Sequence, residues 1–315
     1  MTVPIEPTHQ ATRAMVKSIV SRAVQQCVQQ GARPSSASED PLEIFHSPAT
    51  QLIKEEIVRI GHKLWQRQYV DGNGGNISAR ISKDYVVCTP TLLSKGDLQV
   101  DDLALVNLEN RRLCGDRPHT SELLLHLEIY KTVPQAKAVV HCHPPYATAH
   151  AIAGVVPQGN LVPEQEVFVG QVAISPYETP GTLDFAHTIR PLAKKHNTIL
   201  LANHGLVCWG DTVTHAEWYV EVMETYCKTV MIASQFRQHL PEIPPEKILE
   251  LLALKQRIGM SLPDVRFPAT AAEPDDNIWD TPVRSTGGGS SDSAEVEKLI
   301  SHLAEQVIAF LEKCR

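Results

Sequence analysis

Apolar residues recur every three or four positions in several stretches of the chain, and this spacing is typical of amphipathic helices. In the central part of the chain it predicts helices near residues 50–69, 121–132, 144–152, 183–196 and 212–236. Short runs rich in β-branched residues lie between these helices and predict strands. The predicted strands are Asn76–Ile81, Tyr85–Cys88, Leu103–Asn107, Ala138–His141, Val167–Ile174, Thr198–Leu201 and Leu206–Trp209. Because helices and strands follow one another without strict alternation, we expect a three-layer α/β/α fold around a mixed, mainly antiparallel sheet.

Both ends of the chain carry a further amphipathic helix beside a segment without periodicity. Residues 13–30 predict the first helix, and the polar residues 31–41 predict a linker. Residues 244–258 predict another helix, and a Gly/Ser-rich tether precedes the last one. We expect four parts, which are an N-terminal helix and linker (1–46), a central domain (47–238), a helix with an irregular segment (239–284) and a tethered C-terminal helix (285–315).

Composition and charge narrow the class of protein. Of the 315 residues, 43% are hydrophobic and 21% are charged, as in ordinary globular proteins. The net charge of −7 offers no basic surface for a phosphate backbone, so we expect no nucleic-acid partner. No apolar run approaches the roughly 18 residues of a membrane span, so we expect no membrane insertion. The seven cysteines form no Cys-x-x-Cys pair and the first residues do not form a signal peptide, which favours a cytoplasmic protein with free thiols.

Two histidines stand at the end of a predicted strand, in the run Val139-Val140-His141-Cys142-His143. Side chains alternate along a strand, so His141 and His143 are expected on one side and Cys142 on the other. Two imidazoles on one face can hold one cation, although the pair alone is a weak signal in a chain with 14 histidines. The pair is therefore a candidate for metal ligation.

A third candidate ligand, His204, follows the predicted strand Thr198–Leu201 and precedes a glycine. A histidine at a strand end is well placed for a site at the edge of a sheet, while a hydrogen-bonded core histidine is the alternative. Three neutral imidazoles that leave one position open form a catalytic zinc set. Such an ion can polarise a carbonyl group as a Lewis acid.

Glu122 stands at the start of a predicted helix, with Thr120 or Ser121 as the expected N-cap. It either offsets the helix dipole or acts as a catalytic base. His126 lies one turn later on the same helix face and could compete as a metal ligand. We interpret His126 as a packing residue.

A glycine- and asparagine-rich loop, residues 71–78, joins a predicted helix to a predicted strand. Its glycines let backbone N–H groups face an anion, although no Gly-Lys-Ser/Thr follows as in a nucleotide P-loop. Further donors stand in the Thr-Pro-Thr run 89–91 and in Thr120-Ser121 at a helix N-terminus. These segments form a candidate phosphate site, while an ordinary turn is the alternative for the loop taken alone.

These pieces occur together and in the same order in one known family. The chain resembles the class II aldolase/adducin family over about residues 50–235, and the motifs that match are Gly-Asn-Ile-Ser (75–78), Thr-Pro-Thr (89–91), Ser-Glu (121–122), His-x-His (141–143), Pro-Tyr-x-x-x-Gly-Thr (176–182) and Asn-His-Gly (203–205). The combination is specific, although no single motif is. The resemblance implies an aldehyde-lyase that cleaves L-fuculose or L-rhamnulose 1-phosphate, both deoxy-ketohexose 1-phosphates, to dihydroxyacetone phosphate and L-lactaldehyde.

The resemblance also implies roles for single residues. It implies that Zn2+ is bound by His141, His143 and His204, and that the catalytic base is Glu122. It implies that the phosphate of the substrate is bound by Asn76, Thr91, Thr120 and Ser121. It further implies a homotetramer with active sites near the subunit boundaries.

Two departures from the family pattern bear on the activity. Leu92 follows the matched Thr91 where the aldolases usually carry glycine. Residues 162–166 lack the tyrosine with which the aldolases protonate the aldehyde oxygen from a neighbouring subunit, and Tyr177, Tyr219 and Tyr226 stay open as substitutes. Other enzyme activities that use the same metal ligands therefore remain possible for this chain. They are a pentulose-5-phosphate 4-epimerase, in which aspartate replaces the matched Glu122, and a sugar-phosphate dehydratase or decarboxylase.

Two interpretations concern interactions rather than catalysis. A non-catalytic adducin-like module would lack the zinc histidines, and the three histidines of this chain argue against it. The two end helices resemble the encapsulation peptides of bacterial microcompartment cargo enzymes, which implies shell proteins as partners and a location inside a microcompartment. The alternative is that both helices pack on the central domain or on neighbouring subunits.

Overall fold

The structure is a computed structural model that describes residues 40–237 and 239–257. The helix predicted at 13–30 and the tethered helix predicted in 285–315 lie outside the described residues, as do the linkers beside them. The domain, its sheet and all the candidate site residues fall within the described ranges.

The described helices are α1 (Pro41–Phe45), α2 (Pro48–Gln66), α3 (Leu123–Thr132), α4 (Pro145–Ala153), α5 (Leu183–Thr188), α6 (Arg190–Ala193), α7 (Val213–Phe236) and α8 (Pro245–Arg257). The described strands are β1 (Asn76–Arg80), β2 (Tyr85–Cys88), β3 (Ala104–Asn107), β4 (Arg112–Cys114), β5 (Ala138–Cys142), β6 (Ala173–Ser175), β7 (Thr198–Leu201) and β8 (Gly205–Gly210). A 3-10 turn at Val100–Asp102 and a π-helical turn at Gln165–Val169 complete the set.

The long helices begin where the local sequence provides a cap. Ser47 accepts a hydrogen bond from the Thr50 N–H at 3.2 Å, and Pro48 occupies the first helical position of α2. Thr212 caps α7 in the same way, by accepting a hydrogen bond from the His215 N–H at 3.0 Å. These starts agree with the predicted helices to within a few residues.

All eight strands belong to one sheet in the order β4-β3-β2-β1-β5-β8-β7-β6. Neighbouring strands are antiparallel except for the parallel pair β6–β7. The predicted mixed, mainly antiparallel sheet is therefore confirmed. Helices cover both faces of the sheet, which confirms the three-layer arrangement.

Strand β5 runs through the centre of the sheet and shows how the two cores are separated. Ala138, Val140 and Cys142 pack on one face with apolar residues of α2, α4 and α7. Val139 packs on the other face with residues of α3, α5 and α6. Because side chains alternate along a strand, His141 lies on the Val139 face, which is the face covered by α3.

The structure differs from the predicted elements between residues 165 and 175. The predicted strand Val167–Ile174 is a π-helical turn, Gln165–Val169, followed by a strand that covers only Ala173–Ser175. Gly170, at φ +73°, ends the turn, and the Gln165 side chain donates a hydrogen bond to its carbonyl oxygen. A short buried apolar run has the same composition in a strand and in a turn of helix, so periodicity alone could not separate the two.

Two further elements differ from the prediction. Strand β4, Arg112–Cys114, was not predicted because it is a short edge strand with little apolar signal. The predicted helix 183–196 is two short helices, α5 and α6, which meet at Ile189 just before Pro191. Proline lacks the N–H that would continue the first helix, so the break follows from the sequence.

Among the described residues, no helix is long and apolar enough to cross a membrane. The described cysteines Cys88, Cys114, Cys142, Cys208 and Cys227 are free, as the cysteine spacing predicted.

Candidate active site

Three histidines converge at one end of the central strands. The ligand nitrogens of His141, His143 and His204 all lie within 4.8 Å of one another, and the Nε2 atoms of His141 and His143 are 3.2 Å apart. The ring centroids of His141 and His204 are 4.7 Å apart. The structure therefore brings together the three candidate metal ligands that the sequence predicted.

The sheet and one tight turn position the three rings. His141 lies within β5 and pairs with Val207 of β8, and His143 follows directly after β5. His204 lies in the turn between β7 and β8, where its N–H donates to the Leu201 carbonyl at 3.0 Å. Asn203 adopts a φ of +55° in this turn, a conformation that asparagine tolerates better than most residues.

Gly205 is required by a close approach of the backbone to the site. A Cβ atom at this position would lie 2.6 Å from the Cys142 carbonyl oxygen and 2.7 Å from Cδ2 of His143. Any larger residue would push the His143 ring away from its two neighbours. The glycine of the Asn-His-Gly motif therefore has a packing role in the site.

The Nδ1 atoms of the three histidines differ in their hydrogen-bond partners, and the partner of His141 fixes its tautomer. Nδ1 of His141 donates to the Leu206 carbonyl at 2.9 Å, which leaves Nε2 with a free lone pair. Nδ1 of His143 lies 3.5 Å from the Asp71 carboxylate at the exposed rim. Nδ1 of His204 is buried and has no hydrogen-bond partner among the described residues.

Two of the three imidazoles are held neutral. Burial, and then the charge at His141, lower the pKa of His204 to about 4. The same two causes lower the pKa of His143. A neutral imidazole offers the lone pair that a metal ion requires, and nitrogen lone pairs that face one another at 3.2 Å need a cation or a proton between them. The residues therefore fit a divalent ion bound through three nitrogen atoms.

Glu122 adjoins the histidine cluster. Its Oε2 atom lies 3.2 Å from His141 Nε2 and its Oε1 atom lies 3.3 Å from His204 Nε2. Asn76, which pairs directly with His141 across β1 and β5, donates from Nδ2 to Glu122 Oε2 at 2.8 Å. Burial alone would raise the pKa of Glu122, but the electrostatic and hydrogen-bonding interactions with the His141 ring, the proximity of the His204 ring and the Asn76 hydrogen bond hold it well below its ordinary value.

The start of α3 differs from the prediction. Glu122 is itself the N-cap residue, at φ −99° and ψ 16°, and its side chain makes no capping hydrogen bond. Thr120, one of the two predicted caps, instead accepts a weak hydrogen bond from the Glu122 N–H at 3.4 Å. The helix therefore begins two residues later than the predicted 121–132, and the Glu122 carboxylate points at the histidines.

The four residues predicted to bind phosphate lie on neighbouring segments, and their role stays a prediction. An isolated bridge between Pro90 and His119 joins the segment of Thr91 to that of Thr120. Thr120 is buried and Ser121 is exposed. Asn76 is buried and already uses its amide group within the protein, because Nδ2 donates to Glu122 and Oδ1 accepts from His126.

Sequence reasoning missed several residues that support the site. Lys95 is 1% exposed and donates to the carbonyls of Leu93 at 2.8 Å and Asn73 at 3.4 Å, so it ties the Thr91 segment to the glycine-rich loop. Glu224 accepts hydrogen bonds from the first N–H groups of α4, directly after His143. No local motif marks either residue, because both act across long sequence separations.

A cleft of about 450 Å³ opens beside the histidines. His143 and His204 form part of its wall, together with Gln68, Thr148 and Ile152. The Thr148 hydroxyl is buried and has no hydrogen-bond partner among the described residues. The cleft is large enough for the organic part of a small phosphorylated substrate.

The chain is similar to known proteins of one family. The sequence model of the Class II Aldolase and Adducin N-terminal domain matches residues 55–231. The chain is 34% identical over 179 residues to a 3-oxo-tetronate 4-phosphate decarboxylase of Haemophilus influenzae, a match that covers 56% of this chain and 85% of the relative. It is 36% identical over 183 residues to an L-fuculose phosphate aldolase of Methanococcus vannielii, covering 58% of this chain and 97% of the relative.

Two solved structures are also similar to this chain over most of their own length. The crystal structure of YgbL from Klebsiella pneumoniae, whose activity is described only as aldolase, epimerase or decarboxylase, matches with a TM-score of 0.59 and 31% identity, over 64% of this chain and 98% of that chain. An L-fuculose 1-phosphate aldolase matches with a TM-score of 0.61 and 25% identity, over 65% of this chain and 96% of that chain.

Proposed function

Because the chain belongs to the class II aldolase and adducin family, we propose that it is a zinc-dependent lyase that releases dihydroxyacetone phosphate from a phosphorylated 3-oxo acid by decarboxylation. The observation that carries the proposal is the cluster of His141, His143 and His204 with the Glu122 carboxylate 3.2 and 3.3 Å from two of its nitrogens. An imidazole set with an adjacent carboxylate suits chemistry in which negative charge develops on a ketone oxygen and one proton must be moved.

The three imidazoles would hold the ion through nitrogen atoms, as zinc prefers, although cobalt or manganese also accepts such a set. When bound, the ion supplies Lewis-acid stabilisation of the oxyanion that forms from the ketone. The protein contributes the orientation of the rings, since His141 is fixed by its hydrogen bond to the Leu206 carbonyl.

The reaction balances with one proton from water. The substrate carries a carboxylate at C1, a hydroxyl at C2, a ketone at C3 and a phosphate at C4. Breaking the C1–C2 bond releases CO2 and leaves the electron pair on the C2–C3 enediolate. Glu122, which is ionised in the resting site, takes a proton from water once the substrate is bound and delivers it to C2, which gives dihydroxyacetone phosphate and restores the carboxylate. Asn76 orients Glu122 for this step through its 2.8 Å hydrogen bond.

Decarboxylation requires fewer proton-transfer groups than aldol cleavage, and this difference favours decarboxylation at this site. Carbon dioxide leaves without giving up a proton, so Glu122 alone is sufficient. Aldol cleavage also requires removal of a proton from the hydroxyl that becomes the aldehyde. Segment 162–166, from which a neighbouring subunit would supply this group by resemblance to the aldolases, carries no tyrosine, and its Glu166 is engaged with the Asn160 N–H at 2.7 Å.

Aldol cleavage of L-fuculose or L-rhamnulose 1-phosphate is the second candidate. The resemblance to an L-fuculose phosphate aldolase at 36% identity favours it. Both reactions proceed through the same enediolate of dihydroxyacetone phosphate, and they differ in the fragment that leaves and in the additional base that aldol cleavage requires. The epimerase alternative is one of the three activities given in the description of YgbL.

The deciding experiment is a coupled assay for dihydroxyacetone phosphate. The purified full chain, loaded with zinc or stripped by a chelator, is given 3-oxo-tetronate 4-phosphate, L-fuculose 1-phosphate or L-rhamnulose 1-phosphate. We expect metal-dependent release from the 3-oxo acid together with CO2. Release from a ketohexose phosphate alone would establish the aldolase instead. No release from any of the three by the zinc-loaded protein would overturn both candidates.

We also propose a homotetramer, as the family resemblance implies. Light scattering of the purified chain is expected to give four times the chain mass of 34.8 kDa. A monomer at micromolar concentration would contradict this assembly.

For the end helices we propose, on the sequence pattern alone, binding to microcompartment shell proteins. Deletion of residues 285–315 is then expected to abolish co-assembly with shell proteins and to leave turnover unchanged. Unchanged co-assembly would contradict the role of the C-terminal helix.

A further inference from the structure

His126 is fully buried between α3 and β1, one helical turn after Glu122. Its Nε2 atom lies 2.6 Å from Asn76 Oδ1 and its Nδ1 atom lies 2.7 Å from Ser78 Oγ. Ser78 Oγ in turn lies 2.8 Å from the Tyr130 hydroxyl. Together with the bond from Asn76 to Glu122, these contacts form one unbranched chain of hydrogen bonds that ends on the Glu122 carboxylate.

Only one direction of proton donation along this series of hydrogen bonds satisfies every donor and acceptor. An ionised Glu122 only accepts, so the Asn76 amide must present Nδ2 to it and Oδ1 to His126. His126 must therefore carry its proton on Nε2. Its Nδ1 then accepts from the Ser78 hydroxyl, and Ser78 accepts from Tyr130. The reversed amide would place two oxygen acceptors against each other.

His126 is suited to this arrangement because it stays neutral. Burial, followed by the charge at His141, lowers its pKa to about 3. Both ring nitrogens are occupied by partners within the protein, so no lone pair remains for a metal ion. His126 also stands outside the group of three convergent histidines found among the described residues.

We infer that His126 is a positioning residue, which holds Asn76 in the one amide orientation that aims the Glu122 carboxylate at the reacting carbon. The inference rests on the proposed role of Glu122 as the proton carrier. The Asn76 amide carries a second N–H, and the hydrogen bond from His126 to Asn76 also fixes the direction in which this N–H points. A fixed amide excludes the flipped orientation of Asn76, in which its oxygen would face the Glu122 carboxylate and repel that carboxylate from its position.

Two substitutions separate this role from a purely structural one. In His126→Gln the side-chain nitrogen can reach the position of Nε2 and still donate to Asn76. In His126→Asn the side-chain oxygen can reach the position of Nδ1 and still accept from Ser78, but the donor to Asn76 is lost. Both variants remove the ring and stay uncharged, and because asparagine is one methylene shorter than glutamine, unfolding free energies are measured for both so that a difference in packing is separated from a difference in kcat.

The kinetic test uses the full chain with equal zinc content in each variant. We expect His126→Gln to keep kcat within about threefold of the wild type and His126→Asn to lose at least about tenfold, with KM within about twofold in both. Equal losses in the two variants, or a change confined to KM, would overturn the inference.

A second readout does not depend on turnover. Nitrogen-15 NMR of the wild type is expected to show a neutral His126 protonated on Nε2, and Asn76 side-chain amide signals that move in His126→Asn but not in His126→Gln. A proton on Nδ1, or Asn76 signals that respond equally to both variants, would refute the inference. If the wild type releases no dihydroxyacetone phosphate, the proposed function fails, and the NMR result still decides the role of His126.

Discussion

At the scale of single residues, the site depends on one carboxylate that is nearly buried among imidazoles. Burial disfavours the charged form of Glu122, yet the electrostatic interactions with the adjacent His141 and His204 rings and the hydrogen bond from Asn76 outweigh it. The carboxylate is therefore ionised in the resting site. It can accept a proton only when substrate changes these surroundings, which suits a group that must both take and give a proton.

Replacing Glu122 by glutamine tests this role. Glu122→Gln keeps the shape of the side chain and removes its ability to carry a proton, so we expect kcat to fall by about 10²–10⁴-fold with bound zinc unchanged. The measurement is dihydroxyacetone phosphate release together with metal analysis. Glu128→Gln is the matched control, because Glu128 lies on the same helix but is paired with Arg190 away from the histidines. Comparable losses in both variants would contradict the assignment.

At the scale of elements, α7 holds α4 in place beside the site. Glu224 of α7 is 5% exposed and accepts from the Tyr146 N–H at 3.1 and 3.0 Å and from the Ala147 N–H at 2.8 Å. These are the first N–H groups of α4, and His143 lies two residues before the helix. The contact therefore fixes the segment that carries one of the three candidate metal ligands.

Removing this contact should affect both stability and metal affinity. In Glu224→Ala the two N–H groups lose their partner, at a cost of about 1–3 kcal/mol each in the free energy of unfolding. We expect zinc affinity to fall by about tenfold because His143 is less well oriented. Glu224→Gln, which keeps an acceptor oxygen, should show smaller effects. Denaturant titration and zinc competition measure both, and an unchanged zinc affinity in Glu224→Ala would mean that α4 is positioned by other contacts.

The contact between α2 and α7 contains a buried carboxyl group with a raised pKa. Lys63 Nζ lies 2.8 Å from Glu217 Oε2 and 2.8 Å from Glu221 Oε1. Burial, and then the proximity of Glu221, raise the pKa of Glu217 from 4.5 to about 7 against the opposing effect of Lys63. A raised carboxyl pKa contributes stability that is present below the unfolded pKa and is lost as the pH rises through the folded pKa.

The contribution of Glu217 to the free energy of unfolding should therefore fall by up to about 3 kcal/mol as the pH rises from about 4.5 to about 7. His126 and His204, whose pKa values are lowered, add stability over the same range, so the contribution of Glu217 is measured as a difference between variants. Between pH 5 and pH 7.5, urea unfolding should show the wild type losing up to about 3 kcal/mol relative to Glu217→Gln and none relative to Glu55→Gln, a change at an exposed residue of α2. The same pH dependence in the wild type and in Glu217→Gln would rule out this contribution.

At the scale of the whole molecule, the site joins parts of the chain that are far apart in sequence. His141 and His143 come from β5 and the residues after it, and His204 comes from the turn between β7 and β8. A metal ion held by all three would bind the folded chain and not the unfolded one. It would therefore link the metal site to the stability of the sheet.

Zinc should raise the melting temperature of the metal-free protein. A free concentration 100-fold above Kd adds about 2.7 kcal/mol to the free energy of unfolding. His143→Ala, in which the most accessible ligand is removed, should lose most of this gain and should lose turnover as well. An equal rise in the variant and the wild type would mean that zinc binds elsewhere.

The sequence by itself determined the elements with a clear period and the residues with distinctive chemistry. Alternation along β5 predicted that His141 and Cys142 face opposite sides, and strand-end position identified His204. Composition did not predict the secondary structure of Gln165–Val169, because a short apolar run is compatible with a strand and with a helical turn. It also failed at β4, whose pairing comes from its neighbour rather than from its own side chains.

Only the tertiary structure decided which groups act together. The pairing of β1 with β5 places Asn76 beside His141, and the packing of α3 on that face brings Glu122 and His126 to the same point. Such contacts join residues about 50 positions apart, as between His126 and Asn76. A local pattern reports which face a side chain occupies, but the partner on that face depends on strand order and register, which are set by burial across the whole sheet.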